Sequence, residues 1–438
     1  MPNTVSISSV NSNPSRLFRG RRSGSAPWWL GVFFALSGAL IATSILNVGD
    51  SGVPVFCLAF LVPVVAAPFA WRGSHYFPFA RKESPVFLSM AAVFLLLSVV
   101  TFFQIALNRE SSTGDLSHAS IRLAFLVYCG ICLYFLQGET LRICLRWLRR
   151  ILTFLALYGI YQLPAKLLGL PLFLDWLRNN ASFDLYDYNT AGWVKVVRAT
   201  SIYAEPAQCT VPILVLILLN IYLPAPRYSK WIVWIAALAF AAMTFSRTIW
   251  LAIAALMAAY LFSRIRLFRR ESEWGTMLVA MLLLAGTLVM PIWAFYGGNY
   301  NSDLSRQERA GSVVIGLHLV KEHPWLGSGW NSYQTLMPSY QIDIEGVSPD
   351  VRFSTIHNMF VSYVEQAGVA GFILGIFPFL LMLFYSRAPD ALRLGSILSL
   401  WAVAELGGDV AYSSLFWLWT AVMLNWPAEG IARRRGRV

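Results

Sequence analysis

The sequence predicts an all-α polytopic membrane protein of about twelve transmembrane helices, with two long extracytoplasmic loops that contain short helices. Three observations lead there. Of 438 residues, 57% are apolar and 13% charged, with a mean hydropathy of +0.58, whereas soluble domains carry about 25% charged residues. Apolar runs recur near 28–48, 52–71, 85–107, 117–137, 147–164, 206–224, 230–246, 248–264, 274–296, 358–386, 392–408 and 413–430. Most can cross a hydrocarbon core of ~30 Å at ~1.5 Å per helical residue. The connecting segments, finally, separate by charge. Alternate ones hold 23 of the 34 Lys/Arg and 6 of the 22 Asp/Glu, a net +17, and the others net −5. The positive-inside rule places the basic set, and with it both termini, in the cytoplasm. Most of the basic balance is therefore topology, and a nucleic-acid partner is not expected.

The elements follow in order. Residues 1–26 read as a disordered cytoplasmic tail, Ser/Asn-rich up to residue 15 and ending after "RLFRGRR"; 27–438 read as one transmembrane domain. The run from Trp28 to Val48 is about twice a signal-peptide core, so it is a retained helix. Cys129 and Cys132 form a C-x-x-C inside the fourth run, without the second pair or histidine that a zinc site needs. With Cys57, Cys144 and Cys209 they read as helix-packing residues. Residues 165–205 form the first long outer loop, where "LPLFLDWLRNNASFDLYDY" reads as an interfacial helix. The seventh and eighth runs meet in a tight outer turn at Arg247. In the second long loop, 297–357, Val313, Val314, Ile315, Leu317, Leu319 and Val320 predict a helix over "SRQERAGSVVIGLHLVKEHPWLG", closed by a Gly-rich turn, "PWLGSGWNSY". Such a turn either ends a helix or offers N–H groups to an anion.

Four polar clusters gather on the predicted outer face. They are Arg198 with Glu205, Arg247 in "TFSRTIW", Arg306 with Arg309 in "SDLSRQERAGSVV", and His357 with Asn358 and Glu365 in "IHNMFVSYVEQAGVAG". Ionisable groups at a membrane edge are costly and mark functional sites. Arg247 either snorkels to headgroups or binds phosphate through its guanidinium fork. His357 is either a helix-start packing residue or a base for a hydroxyl near neutral pH. Glu365, eight residues on, shares roughly its helical face and either orients a polar network or faces a wet cavity. One of Arg306 and Arg309 is expected to pair with Asp303 or Glu308. The five histidines have no metal-ligand spacing, so no metal and no cofactor is expected.

The ordered set R-A-T-S-x-x-x-E-P, S-R-T-x-W, R-x-G-x-x-x-x-G-L-H-L-V-K-E-H-P-W-L-G-S-G-W and H-N-x-x-x-x-x-x-E-x-x-G-x-x-G resembles the O-antigen ligase and polymerase superfamily of integral-membrane GT-C-type glycosyltransferases, over about 190–385. The resemblance implies metal-independent transfer of a glycan from an undecaprenyl-diphosphate-linked oligosaccharide to an acceptor hydroxyl on the periplasmic side of the bacterial inner membrane. It implies that Arg247 and Arg309 hold the diphosphate and that His357 acts as base on the acceptor hydroxyl or positions it; from the outer-face clusters, Arg198, Glu205, Arg306, Asn358 and Glu365 are expected to line the substrates. The implied partners are a glycan or lipid A-core acceptor, membrane lipids, and a chain-length regulator and flippase. Glu205-Pro206, where many ligases carry Asn-Pro, favours a repeat-unit polymerase over an O-antigen ligase. A transporter or lipid-linked-glycan flippase is the different-class alternative. Such proteins place charges near the midplane, whereas here the charges collect at one rim.

Overall fold

The computed structural model describes residues 28–40, 61–62, 65, 84–107, 113–174, 187–190, 194–203, 206–268, 272–296, 304–330, 332–333, 336, 356–406, 410 and 413–426. The chain is a multi-pass membrane protein built of helices. They are α1 (Trp28–Ala39), α2 (Ser84–Leu107), α3 (Thr113–Phe135), α4 (Gly138–Leu168), α5 (Thr210–Tyr222, entered through a 3-10 turn at Pro206–Cys209), α6 (Arg227–Met243), α7 (Arg247–Phe262), α8 (Glu273–Tyr296), α9 (Leu304–Glu322), α10 (Met359–Tyr385), α11 (Asp390–Leu406) and α12 (Ser414–Leu424). One antiparallel ribbon joins β1 (Asp187–Thr190) to β2 (Val194–Val197), with Asp187 opposite Val197. Among the described residues, four stretches are long and apolar enough, by length and composition, to cross a membrane: Pro85–Leu107, His118–Phe135, Gly138–Leu168 and Met359–Tyr385. Trp28–Ala39, Pro206–Tyr222, Arg247–Phe262, Glu273–Thr287 and Ser414–Leu424 are shorter apolar helices.

Helices apolar all round can face lipid on one side and protein on the other. In α2, Leu88, Leu95 and Phe102 are exposed at seven-residue spacing, while Met90, Val93, Leu97 and Val100 are buried. The expected run 52–71 falls largely outside the described residues. The expected run 147–164 is the apolar part of a longer helix. α4 starts at Gly138, and Arg142 and Arg146 pair with Glu139 one and two turns back, at 3.5 and 3.1 Å, a helical arrangement that a hydropathy profile does not register. The interfacial helix expected from Leu170 is absent at its described ends: 170–172 are irregular, 173–174 form a turn, and 187–188 lie in β1. Residues 175–186 lie outside the description.

The run expected as one span at 358–386 is instead broken. Inside α10, Ala367 (φ −136°, ψ 18°) and Gly368 (φ 57°, ψ −139°) leave the helical region. A Cβ at Gly375 would touch Phe360 and Tyr363 at 3.3 Å, and the Phe360 and Phe379 ring centroids are 6.1 Å apart. In a straight helix, residues 15 apart would be about 22 Å apart. Segment 359–366 therefore folds back along 369–385. The break is held by the Gly-rich turn after α9, whose N–H groups cap the freed carbonyls. Ser328 donates to the Glu365 carbonyl (2.7 Å) and Gly329 to that of Gln366 (3.2 Å), which also receives Gln104 Nε2 (2.7 Å). The fit requires glycine. A Cβ at Gly368 would lie 2.1 Å from the Trp325 carbonyl, and one at Gly327 (φ 71°) 2.4 Å from the Gln366 backbone. Of the two readings of the Gly-rich turn, helix termination is the one realised here.

Hydrogen bonds tie one set of helix ends together. Tyr203 Oη donates to the Ala39 carbonyl at the end of α1 (3.3 Å), and Ser414 Oγ, at the start of α12, donates to Ser37 O (2.8 Å). Gln162 in the last turns of α4 bonds Ser201 in both directions (2.7 Å each), and Ala199 N donates to Met243 O at the end of α6 (3.0 Å). The end of α11, which leads into α12, and the starts of α5, α7 and α10 belong to this same end.

Candidate functional site

Three sequence-separated segments meet at the C-terminal end of α11. Arg309, in the second turn of α9, donates through Nη1 to the Leu406 carbonyl at 2.9 Å. A helix C-terminus carries a partial negative charge, so a guanidinium is well placed there. Ser312, one turn on, donates to the Arg309 carbonyl (2.9 Å) and accepts the His357 backbone N–H (3.2 Å). Asn358 is wholly buried. Its Oδ1 caps α10 by accepting Val361 N–H (3.0 Å), which leaves its Nδ2 aimed at Glu405 Oε2, 2.6 Å away. Gly316 makes this possible. A Cβ there would meet Ile356 and Val361 at 2.8 and 2.9 Å, so its absence lets α9 lie against the start of α10.

Arg247 lies at the same height on a neighbouring helix. α7 and α11 pack against each other and run antiparallel, because α7 starts and α11 ends at the same end of the molecule. A Cβ at Gly395 of α11 would lie 2.7 Å from Leu256 of α7. Leu256 is nine residues after Arg247, and Ala404 is nine residues after Gly395. Arg247 thus stands at the height of Ala404 and Glu405. Its side chain is exposed.

Arg198 serves the turn that carries Arg247. Its Nε and Nη2 donate to the carbonyls of Thr244 and Phe245, both at 2.9 Å. Phe245 sits at φ 50° and Ser201 at φ 55°, the two described non-glycine residues with positive φ. Such strain persists only where surrounding bonds over-determine it. Here Arg198 and Gln162 supply those bonds.

Glu365 is brought to a different cluster. Ser328 Oγ bonds its carboxylate, as does Ser332 Oγ at 3.0 Å. Next to it, buried Arg122 donates to Gln366 Oε1 (2.8 Å) and lies 4.5 Å from the Trp330 ring centroid and 5.0 Å from that of Tyr363. This network locks the break in α10, at the far end of segment 359–366 from His357. Of the remaining sequence candidates, Glu205, Asp303 and the side chains of Arg306 and Glu308 lie outside the described residues.

The sequence reading missed Glu405, Ser312 and Arg122. Glu405 had a usable signal: it is a lone acid at the edge of an apolar run, the criterion that singled out His357. Ser312 had none, because a serine in an amphipathic helix is unremarked until its partner is known.

Residues 231–376 match the model of a family described as O-antigen ligase. This segment is similar to that family over about a third of the chain. It contains Arg247, Arg309, His357, Asn358 and Glu365, while Arg198, Glu205 and Glu405 fall outside it. No curated protein matches the chain. The matched segment thus supplies α7, α9 and the start of α10, and α11 completes the cluster from beyond its C-terminal limit.

Proposed function

We propose that the protein transfers a glycan from an undecaprenyl-diphosphate-linked donor to an acceptor hydroxyl at the extracytoplasmic face of the bacterial inner membrane, as a polysaccharide repeat-unit polymerase. The observation that carries this reading is the gathering of Arg309 and Asn358 around Glu405–Leu406, with His357 tied to Arg309 through Ser312 and Arg247 at the same height on the neighbouring helix α7. In this reading the chain has about twelve spans, both termini are cytoplasmic, and the site faces outward. Two arginines at the rim match a diphosphate in charge and in bidentate geometry. They stabilise the negative charge that grows on the leaving diphosphate as the sugar C1–O bond breaks. His357 takes the proton of the acceptor hydroxyl as the new glycosidic bond forms. Arg198 supports the turn that presents Arg247. No step requires a metal.

Glu205-Pro206 favours polymerase. The O-antigen ligase description of the matching domain favours the second reading, transfer to lipid A-core. Expression in hosts lacking either their own polymerase or their own ligase separates the two. A polymerase restores a ladder of repeat units in the first host. A ligase restores attached glycan in the second. Restoration of neither, in hosts making a range of lipid-linked glycans, would count against glycan transfer altogether.

A further inference from the structure

We propose that Glu405 is the acceptor-binding residue of this site, its Oε1 receiving the sugar hydroxyl that attacks the donor. The inference rests on the glycan-transfer reading above. Glu405 is 2% exposed, and its two carboxylate oxygens differ. Oε2 is held at 2.6 Å by Asn358 Nδ2, whose own orientation is fixed by capping α10. Oε1 is buried and, among the described residues, has no hydrogen-bond partner. A buried polar atom without a partner is costly, and in native proteins it marks an absent water, ion or ligand group. A sugar hydroxyl, which both donates and accepts, satisfies it whichever protonation state the buried carboxyl takes. Beside arginines at the height of Leu406, the uncharged donor that glycan transfer brings to this place is an acceptor hydroxyl.

Glu365 also has a buried carboxylate oxygen without a partner among the described residues. It is less suited to the task, because its other oxygen serves the Ser328–Ser332 lock at the break in α10. Glu405 instead adjoins Asn358, the residue after His357. In this proposal the hydroxyl held on Oε1 is the attacking group. It attacks the anomeric carbon, the bond from that carbon to the phosphate oxygen breaks, the diphosphate departs with the electron pair, and His357 accepts the proton. Glu405 binds and orients, and its own protonation does not change.

Glu405→Gln exchanges the carboxyl group for an amide of nearly unchanged volume whose oxygen still accepts from Asn358. Purified wild-type and variant proteins are compared for thermal stability and for binding of undecaprenyl diphosphate. Polymer made in the producing strain reports transfer. The expected result is unchanged stability, lipid-diphosphate binding equal to or tighter than wild type, and transfer reduced about 10- to 100-fold, the range for losing a hydrogen bond to a charged group. Should Glu405→Gln fail to fold, Glu405→Asp, which retracts the carboxylate by one methylene, takes its place. Wild-type transfer by whichever variant folds overturns the assignment, as does loss of lipid-diphosphate binding in step with transfer. If wild-type protein itself does not bind undecaprenyl diphosphate, it is the glycan-transfer reading that falls.

Discussion

Asn358 and Glu405, 47 residues apart in sequence, meet at 2.6 Å with both side chains buried. Around that bond a loop helix, the start of α10 and the end of α11 are fixed relative to one another. Arg309 reaches the neighbouring carbonyl of Leu406, and Ser312 ties Arg309 to His357. The predictions below concern what that arrangement can and cannot tolerate.

Arg247→Lys and Arg309→Lys separate phosphate binding from snorkelling. A lysine reaches headgroups as well as an arginine but cannot form two parallel hydrogen bonds. Transfer is expected to fall about 10- to 100-fold in each, the cost of lost charge-assisted hydrogen bonds, with protein levels near wild type. A fully active Arg247→Lys would return Arg247 to a membrane-anchoring role.

Arg198→Ala is expected to behave differently, because its fork is committed to the carbonyls of Thr244 and Phe245. Loss of two such bonds under a strained turn should lower thermal stability by about 2–3 kcal/mol, and activity in parallel. Unchanged stability with lost activity would make Arg198 a substrate ligand instead.

The break in α10 predicts a contrast between two glycines of positive φ. Gly368→Ala places a methyl group 2.1 Å from the Trp325 carbonyl at φ 57°, whereas Gly169→Ala, at φ 67°, meets nothing within 4 Å. The second change should cost about 1 kcal/mol of backbone strain. The first should cost more than the usual 3 kcal/mol ceiling for point changes, enough to reduce folded protein in membranes. Equal yields and melting temperatures for the two would deny the interlock between the Gly-rich turn and α10.

Orientation is tested by labelling. A membrane-impermeant thiol reagent is expected to modify a cysteine introduced at Ser302 and to spare one introduced at Ser229, which Arg149 contacts at the opposite end of the molecule (3.1 Å). The reverse pattern would place the site in the cytoplasm.

The legible part of this fold was the apolar alternation of the chain. Outside the largely undescribed 52–71 run, each expected span has a helix at its position, because long apolar runs leave the backbone no other way to satisfy its hydrogen bonds in lipid. What composition could not register was geometry created by contact between distant segments. Gly368 in "EQAGVAG" looks like one more small residue of a membrane helix until the Gly-rich turn caps the carbonyls before it. Glu365 shares a face with His357 on a helical wheel, yet Ser328 and Ser332 claim it. Arg247, Arg309, His357 and Asn358 were visible because a charged or polar group at a membrane rim is conspicuous. Glu405 stood equally near a rim but belonged to an otherwise ordinary span, and only its bond to Asn358 sets it apart.

The central claim is that the arginines hold the donor while His357 performs proton transfer. Purified wild-type, Arg309→Lys and His357→Gln proteins, each assayed for undecaprenyl-diphosphate binding beside transfer in the producing strain, test it most directly. The account predicts that His357→Gln binds the lipid like wild type yet loses about 10²–10⁴-fold in transfer, the usual contribution of a general base, leaving single repeat units in place of a ladder. Arg309→Lys loses binding and transfer together. Near wild-type polymer from His357→Gln, or equal loss of lipid binding in both variants, would contradict it.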